Sequence, residues 1–525
     1  MKKAKTQSIR FYAILFAATL AVTLSGCATN PVTGKTELHL VSESQEINIG
    51  QENYLSSQQS QGGAYTIEPQ LTQYVAGIGK HLVSVSDRPN LPFEFVVLNN
   101  SIPNAWALPG GKIAVNRGLL VELKSEAELA AVLGHEIVHA AARHGAQSME
   151  RGILLSAGLA GVGAAVGDKD YGQLAVGAAA LGSQLIATKY SRSAELEADH
   201  YGMKYMAKAG YDPAAAIDLQ QTFVKLSQGQ KTSWLDGLFA SHPPSPERVE
   251  ANRRTARELA VKGRLGEQEY QHHIAPLIKS KPAYDAMDQA TKALKDGNPD
   301  KALSLIDDAI AIEPREAMFF GVKGDIFQKK NQLNKAEDLY TQALAKNDRF
   351  FLYYLQRGLT RKKLNQTAGA KSDLNKSIEL LPTGPAYYTL GDIALKENDS
   401  KTAKDYYAKV AATESDLAKK AAAAFARLDL QDNPQKYLAV AFLKTAEGRL
   451  ALEIKNQSPV SVKDLQVNAK LLSINGTLLA QERFQYPSVL RPGESRQFIA
   501  RSIPLPDNLQ TQKLVANIIN VSTAE

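Results

Sequence analysis

Cysteine occurs once in 525 residues, at Cys27, so no internal disulfide can brace the fold. Histidine is sparse as well, nine in all, which makes a close spacing of two of them informative. Long apolar runs are missing. The stretch Phe11 to Leu24, and the two Ala/Gly-rich runs of about 15 residues between Gly152 and Ala187, fall short of the roughly 20 residues that a spanning helix needs. Excess charge is small: 61 Lys and Arg face 54 Asp and Glu, a formal +7, and four of the cations, Lys2, Lys3, Lys5 and Arg10, crowd the N-terminus. Without those four the balance is +3, too little to support a nucleic-acid role. What remains, 44% hydrophobic and 22% charged with 36 Gly and 22 Pro, excludes disorder and collagen. At roughly 100 to 200 residues per domain the length predicts about three to five units.

The N-terminal cations, the short apolar run and then Leu24-Ser25-Gly26-Cys27 resemble a bacterial lipoprotein signal over residues 1–26. In that resemblance Cys27 becomes the first mature residue and carries the acyl groups, which accounts for a lone thiol in an exported chain. A plain signal peptide with a chance Cys is the competing reading. Residue 28 is Ala rather than Asp, which by the same resemblance implies the periplasmic face of a Gram-negative outer membrane; an inner-membrane lipoprotein or a soluble periplasmic protein is the alternative. Residues 27–45, rich in Pro, Gly and Thr, read as a tether.

Three folded regions follow. Residues 46–265 mix helical patterns with short strands at Phe93 to Val97 and Lys112 to Val115, which predicts a helix-rich α+β domain. Residues 283–425 repeat every 34 residues: Pro314, Asp348 and Pro382 share a phase, as do Ala302, Ala336 and Ala370, while Gly324 and Gly358 recur with Tyr340 in the large packing position. A copy shifted by one residue offers Gly391, Ala403 and Tyr407. The pattern resembles the tetratricopeptide repeat and predicts an α-solenoid of about four copies with a concave face. Residues 433–525 alternate with period two, Leu465, Val467, Ala469 and Leu471 before the turn Asn475-Gly476, and predict six or seven strands in an all-β sandwich.

The chemistry sits in Leu133-Gly134-His135-Glu136-Ile137-Val138-His139. Ser125 and Glu128 read as a capping box ahead of Leu129, Val132 and Leu133, so the segment is helical. His135 and His139 then share a face, where two imidazoles can grip one cation with Glu136 beside the open position. Two His and a Glu on an apolar helix would carry a desolvation penalty without return unless something bound them. The run Ser191 to Asp199 is also helical, with Glu195 and Asp199 on one face and Glu197 pointing elsewhere. Glu195 is the expected third ligand, and Asp199 is placed to accept the free N–H of a ligating His or to handle a proton. The set predicts one Zn2+ per chain, Glu136 as general base and peptide-bond hydrolysis, with His242 and Arg192 as candidates for stabilising the oxyanion. His39, His81, His144, His200, His272 and His273 are expected not to ligate, His144 pointing off the metal face.

These segments resemble the HtpX and CAAX-prenyl-protease class of gluzincin metallopeptidases, most closely its BepA-like periplasmic members with a tetratricopeptide tail, over roughly residues 40 to 425. The resemblance rests on His135-Glu136-x-x-His139, Glu195-x-x-x-Asp199 and Asn104-Ala105-Trp106-Ala107-Leu108-Pro109-Gly110-Gly111. It implies that Asn104, Ala105, Trp106 and Ala107 form an edge strand to which an extended peptide adds. It also implies that His242, in Ser241-His242-Pro243-Pro244-Ser245-Pro246-Glu247-Arg248, lies near the metal, as a fourth ligand that blocks the resting site or as an oxyanion stabiliser; a surface His in a rigid turn is the third reading. Relatives embedded in membranes place spanning helices near residues 152–187, where this chain's short runs predict an apolar hairpin that covers the cleft or touches lipid or unfolded substrate. The β domain and the lipobox depart from the pattern.

The resemblance implies a zinc endopeptidase that removes misfolded or stalled outer-membrane proteins, its repeats docking a client or the outer-membrane assembly machinery. A chaperone or assembly scaffold with little proteolysis competes with it, and an intact Glu136 argues against that. A membrane-embedded processing peptidase is opposed by the short runs and by the lipid anchor.

Overall fold

The computed structural model describes residues 27–160, 189–229, 241–413, 415–506 and 512–524. The export signal expected over residues 1–26 lies outside them, as does most of the apolar hairpin expected over 152–187. The chain divides into two compact units, Met1–Leu381 and Pro382–Glu525.

The first unit opens with strand β1 (Cys27–Thr29) paired antiparallel with β2 (Thr36–Leu38). This corrects the tether reading. Asn30, in the turn, donates from Nδ2 to Ala142 O at 2.9 Å, so the segment is docked rather than free. Helix α1 (Glu43–Ser60) begins with a complete capping box between Ser42 and Gln45, and α2 (Pro69–Ser84) follows. A three-stranded sheet then forms from β3 (Glu94–Leu98), β4 (Ala105–Leu108) and β5 (Lys112–Asn116) in the order β3-β5-β4. β3 runs parallel to β5 and β4 antiparallel, joined to β5 through Pro109-Gly110-Gly111. Both glycines have positive φ, 74° and 87°, a turn that a side chain would strain.

β4 is therefore an edge strand. Asn116 N–H donates to Asn104 O at 2.8 Å, which sets the phase of the ladder. Trp106 and Leu108 point their backbone groups at β5, and Ala105 and Ala107 point theirs away from it.

After the short α3 (Arg117–Leu120) come α4 (Glu126–Ala141), α5 (His144–Ala160), α6 (Arg192–Lys208), α7 (Ala215–Gly229) and α8 (Pro246–Leu259). Every residue of α4 is buried, which makes it the central helix of the domain. Its expected capping box is half formed. Ser125 Oγ accepts from Glu128 N–H at 3.1 Å, but the Glu128 carboxylate reaches back one residue too far and accepts from Lys124 N–H at 2.7 Å.

The repeats begin with α9 (Glu267–Lys295), α10 (Pro299–Ile312), α11 (Ala317–Lys329), α12 (Leu333–Lys346), α13 (Phe351–Lys363) and α14 (Thr367–Leu380). A Cβ on Gly324 would meet the Tyr340 ring at 2.6 Å, and one on Gly358 would meet Leu374 at 2.9 Å, so each small residue is filled by a large one of the next helix. The turns within helix pairs use a left-handed residue, Gly297, Asn331 and Asn365, 34 apart.

The second unit continues with α15 (Gly384–Lys396), α16 (Ser400–Ala411) and α17 (Asp416–Asp429), where Gly391 receives the Tyr407 ring and Asn398 is again left-handed. It ends in two antiparallel three-stranded sheets. β6 (Leu438–Lys444), β7 (Leu450–Asn456) and β10 (Ser495–Ile499) form one, in the order β10-β7-β6; β8 (Val462–Ser473), β9 (Leu478–Tyr486) and β11 (Gln512–Thr523) form the other, in the order β11-β8-β9. Leu450, Leu452 and Ile454 share a core with Leu465, Val467, Ala469 and Leu471, a six-stranded sandwich with the expected period-two face inside.

Candidate metal centre

The site is built where α4 crosses α6. A Cβ on Gly134 would lie 3.1 Å from Gly202 O, and one on Gly202 would lie 3.0 Å from Gly134 C and from His135 N. Two glycines face to face thus let the helix backbones nearly touch, and the next turns bring His135 and His139 of α4 against Glu195 and Asp199 of α6. The α6 helix starts at Ser191, whose Oγ accepts from Ala194 N–H, so Glu195 sits in its first turn.

Four donor atoms, from His135, His139, Glu195 and His242, lie within 4.8 Å of one another. His135 Nε2 is 3.0 Å from His139 Nε2, 3.2 Å from His242 Nδ1 and 3.5 Å from a Glu195 oxygen. His139 Nε2 lies 3.4 Å, and His242 Nδ1 3.1 Å, from Glu195 Oε1. The ring orientation is fixed from behind: Asp199 Oδ1 accepts from His135 Nδ1–H at 2.9 Å, which turns Nε2 toward the centre. In the absence of a cation, burial works against a charged His135, yet Glu195 and Asp199 raise its pKa to about 10, and a metal ion at the centre would take the place of its Nε2 proton. Burial holds His139 well below the usual imidazole range. Glu195 overcomes its burial through His242 and His135 and stays ionised well below the ordinary carboxylate range. Convergent lone pairs and a buried carboxylate demand a cation at their centre, and three imidazole nitrogens with one carboxylate fit a divalent metal ion.

Glu136 lies beside this set. Its Oε1 is 3.6 Å from His242 Nε2, its Oε2 is buried with no hydrogen-bond partner among the described residues, and burial pushes its carboxyl up. A cavity of about 40 Å³ opens here, lined by His135, Glu136, Ala105 of β4, and the apolar Met203, Leu219 and Phe223.

The family model described as Peptidase family M48 matches residues 69–256, which span β3 to β5, both ligand-bearing helices and His242. Residues 69–256 are an M48 peptidase domain. A tetratricopeptide repeat model matches residues 384–416. A protein of Vibrio cholerae is 34% identical to this chain over 197 residues, 36% of this chain and 40% of its own length. The beta-barrel assembly-enhancing protease of Escherichia coli is 26% identical over 324 residues, 55% of this chain and 66% of its own. The mitochondrial metalloendopeptidase OMA1 of Schizosaccharomyces pombe is 35% identical over 210 residues, 40% of this chain and 59% of its own. This chain thus spans between 40% and 66% of the length of these three relatives.

Within the M48 domain the structure brings His135, Glu136, His139, Glu195, Asp199 and His242 together, with Asn104 to Ala107 at the sheet edge beside them. It separates Arg192 from the rest. That side chain is exposed at the start of α6 and pairs with Glu247 on the surface. Cys27 opens β1, outside the M48 match.

The contacts of three neighbours in the M48 domain went unread in the sequence. Arg248 Nε and Nη2 donate to the two oxygens of Asp199, each at 2.7 Å, and Nη1 lies 2.9 Å from Glu195 Oε2, so one guanidinium pairs with both carboxylates. Burial opposes the ionised Asp199, and Arg248 still holds its carboxyl below the usual range. The Tyr190 ring stacks on His139 with centroids 3.9 Å apart. His144 does not ligate, but its Nδ1 lies 2.8 Å from His139 Nδ1. Only Arg248 had a local signal, its place in the first turn after Ser245-Pro246, six residues beyond His242.

Proposed function

We propose that this chain is a zinc-dependent endopeptidase of the periplasm, held at the outer membrane through Cys27, that cuts unfolded or stalled outer-membrane proteins. The observation that carries the reading is the convergence of His135, His139, Glu195 and His242 within 4.8 Å, with a Glu136 oxygen beside them that has no partner among the described residues. Bound to these residues, zinc would supply a Lewis acid that polarises the scissile carbonyl and acidifies a water. Glu136 takes the proton of the attacking water and hands it to the leaving amine, a role suited to a carboxyl whose affinity for protons is raised by burial. Asp199 keeps His135 in the ligating tautomer, and Arg248 keeps Asp199 and Glu195 ionised. The backbone groups of Ala105 and Ala107, turned away from β5, pair with an extended substrate and lay it across the cavity.

His242 is the fourth donor, and in that place it closes the site at rest; substrate binding draws the loop away. The name of the Escherichia coli relative, a beta-barrel assembly-enhancing protease, supports the client class. The repeats add a docking surface, where a cavity of about 390 Å³ lined by Met287, Met318, Val322 and Tyr353, with Arg117 at its wall, accepts an extended apolar segment of the client.

The test is cleavage of casein, with bound metal quantified, by the wild type, Glu136→Gln and His242→Ala. Stoichiometric zinc and a dead Glu136→Gln support the reading, and a rise in basal cleavage by His242→Ala supports the closed resting site. A fall in His242→Ala moves that residue to oxyanion stabilisation. Zinc without cleavage in any variant favours a chaperone or assembly scaffold instead.

A further inference from the structure

The corner between α4 and α5 carries more support than a helix turn needs. Helix α4 ends at Ala141, and Arg143 adopts φ 62°, left-handed backbone that a non-glycine residue pays for in strain. That turn aims His144 back at His139, with Nδ1 to Nδ1 at 2.8 Å and both rings buried. The other side of His144 faces a carboxylate, Glu197 Oε2, at 3.6 Å from Nε2. Glu197 pairs in turn with Lys35 in the turn between β1 and β2. A carboxylate–histidine–histidine chain thus ends on a metal-binding imidazole, and its outer end lies on the segment that follows Cys27.

The same segment grips the corner at further points. Asn30 donates to Ala142 O at 2.9 Å, and Gln147 bridges Ala142 O and Glu37. Glu150 accepts from Leu40 N–H at 2.9 Å and Val41 N–H at 3.0 Å. The Arg143 guanidinium is held by Glu46 and by Val41 O. Lys35 is largely exposed, so its ion pair alone is worth little; the buried bonds of Asn30, Glu46 and Glu150 carry the grip.

We infer that His144 and Glu197 are positioning residues for His139, and that residues 30–46 are a strut that holds their corner in place. The inference rests on the metallopeptidase reading and adds to it the N-terminal segment as part of the site's support. An imidazole ligand with a loose second nitrogen rotates, and removal of such a partner lowers metal affinity by about 10–100-fold.

The experiment uses the full chain loaded with zinc and measures release of the metal to a colorimetric chelator, casein cleavage, and thermal unfolding of the zinc-free protein. His144→Ala, Glu197→Gln and Asn30→Ala should each speed zinc release, His144→Ala by about 10–100-fold, while the zinc-free melting temperature moves little. His144→Asn, which keeps a polar atom near the position of Nδ1, should recover part of the loss. Zinc release at the wild-type rate in His144→Ala and Asn30→Ala would overturn the inference. So would a zinc-free protein destabilised as much as the loaded one, with no recovery in His144→Asn, since that marks a packing role only. Glu136→Gln, run alongside, separates the two readings: if it holds zinc yet still cleaves, the proposed chemistry fails while the release comparison stands. A wild type without zinc defeats both.

Discussion

Replacing Gly134 with Ala, and Gly202 with Ala in a second protein, tests whether the approach of α4 to α6 sets the metal geometry. The new methyl at 134 would lie 3.1 Å from Gly202 O and 3.3 Å from Gly202 Cα; at 202 it would lie 3.0 Å from Gly134 C and His135 N. Such contacts relax at about 3.5 Å, so the helices must part by roughly 0.2–0.5 Å. Metal–ligand distances tolerate about 0.2 Å. The two His ligands ride on one helix and Glu195 on the other, so the separation goes directly into the His–Glu distances. Overpacking costs about 1–3 kcal/mol and the Gly→Ala change in a helix returns about 1 kcal/mol, which leaves the metal-free protein about 0–2 kcal/mol less stable. Zinc affinity should fall further, by about 10–100-fold, and casein cleavage with it. Gly77 in α2 is the matched control: nothing lies within 4 Å of its added methyl, so Gly77→Ala should stabilise by about 1 kcal/mol and leave zinc binding unchanged. The assay is zinc competition with a chromogenic chelator beside thermal unfolding of the stripped proteins. Wild-type zinc affinity in Gly134→Ala and Gly202→Ala would refute the argument from helix approach.

Arg248→Gln strands Asp199 and Glu195 as buried carboxylates without their cation and should cost about 3–5 kcal/mol in thermal or urea unfolding; Arg248→Lys should lose less but not recover the bidentate pairing. Asp325, half-buried and bonded to the Tyr340 hydroxyl at 2.7 Å, has its carboxyl raised by burial to about 6. The folded state therefore binds the extra proton between about pH 4 and 6 and loses stability as pH rises through that window. Asp325→Asn should raise stability by up to about 3 kcal/mol at pH 7, the equivalent of about two pKa units, and by nothing near pH 3.5, and a pH-independent effect would contradict the burial argument. In the second unit Gly391→Ala drives a methyl to 2.7 Å from the Tyr407 ring and should cost about 1–3 kcal/mol, while Gly384→Ala, with nothing nearer than 3.6 Å, should be nearly neutral in the same unfolding assay.

The ligand helices were legible because their signal is local. Four-residue spacing alone puts His135 beside His139 and Glu195 beside Asp199, whatever the tertiary fold does. The repeats were legible for the same reason, and a further mark of them, the left-handed Gly297, Asn331, Asn365 and Asn398 at spacings of 34, 34 and 33, was available and passed over. The contact of His144 with the Nδ1 side of His139 was not legible, because a helix continued past His139 would carry it elsewhere. The chain instead turns at Arg143, held there by Glu46 nearly a hundred residues upstream, which no local pattern can reveal. Arg192 and Arg248 show the same limit from the other side. Both are arginines near helix starts, and only tertiary packing decides that one meets Glu247 in solvent and the other meets two buried carboxylates.

Cys27 opens β1 three residues before Asn30, whose amide is bonded to the carbonyl at the end of the His-bearing helix. An extended chain covers at most about 3.6 Å per residue, so Asn30 lies within about 11 Å of Cys27, and acyl groups on Cys27 would keep that helix end close to the bilayer surface. Under the proposed acylation, a leash that short would remove one dimension from the search. The enzyme would meet clients by lateral diffusion along a membrane sheet, and its encounter rate would scale with clients per unit area rather than with their concentration in the compartment.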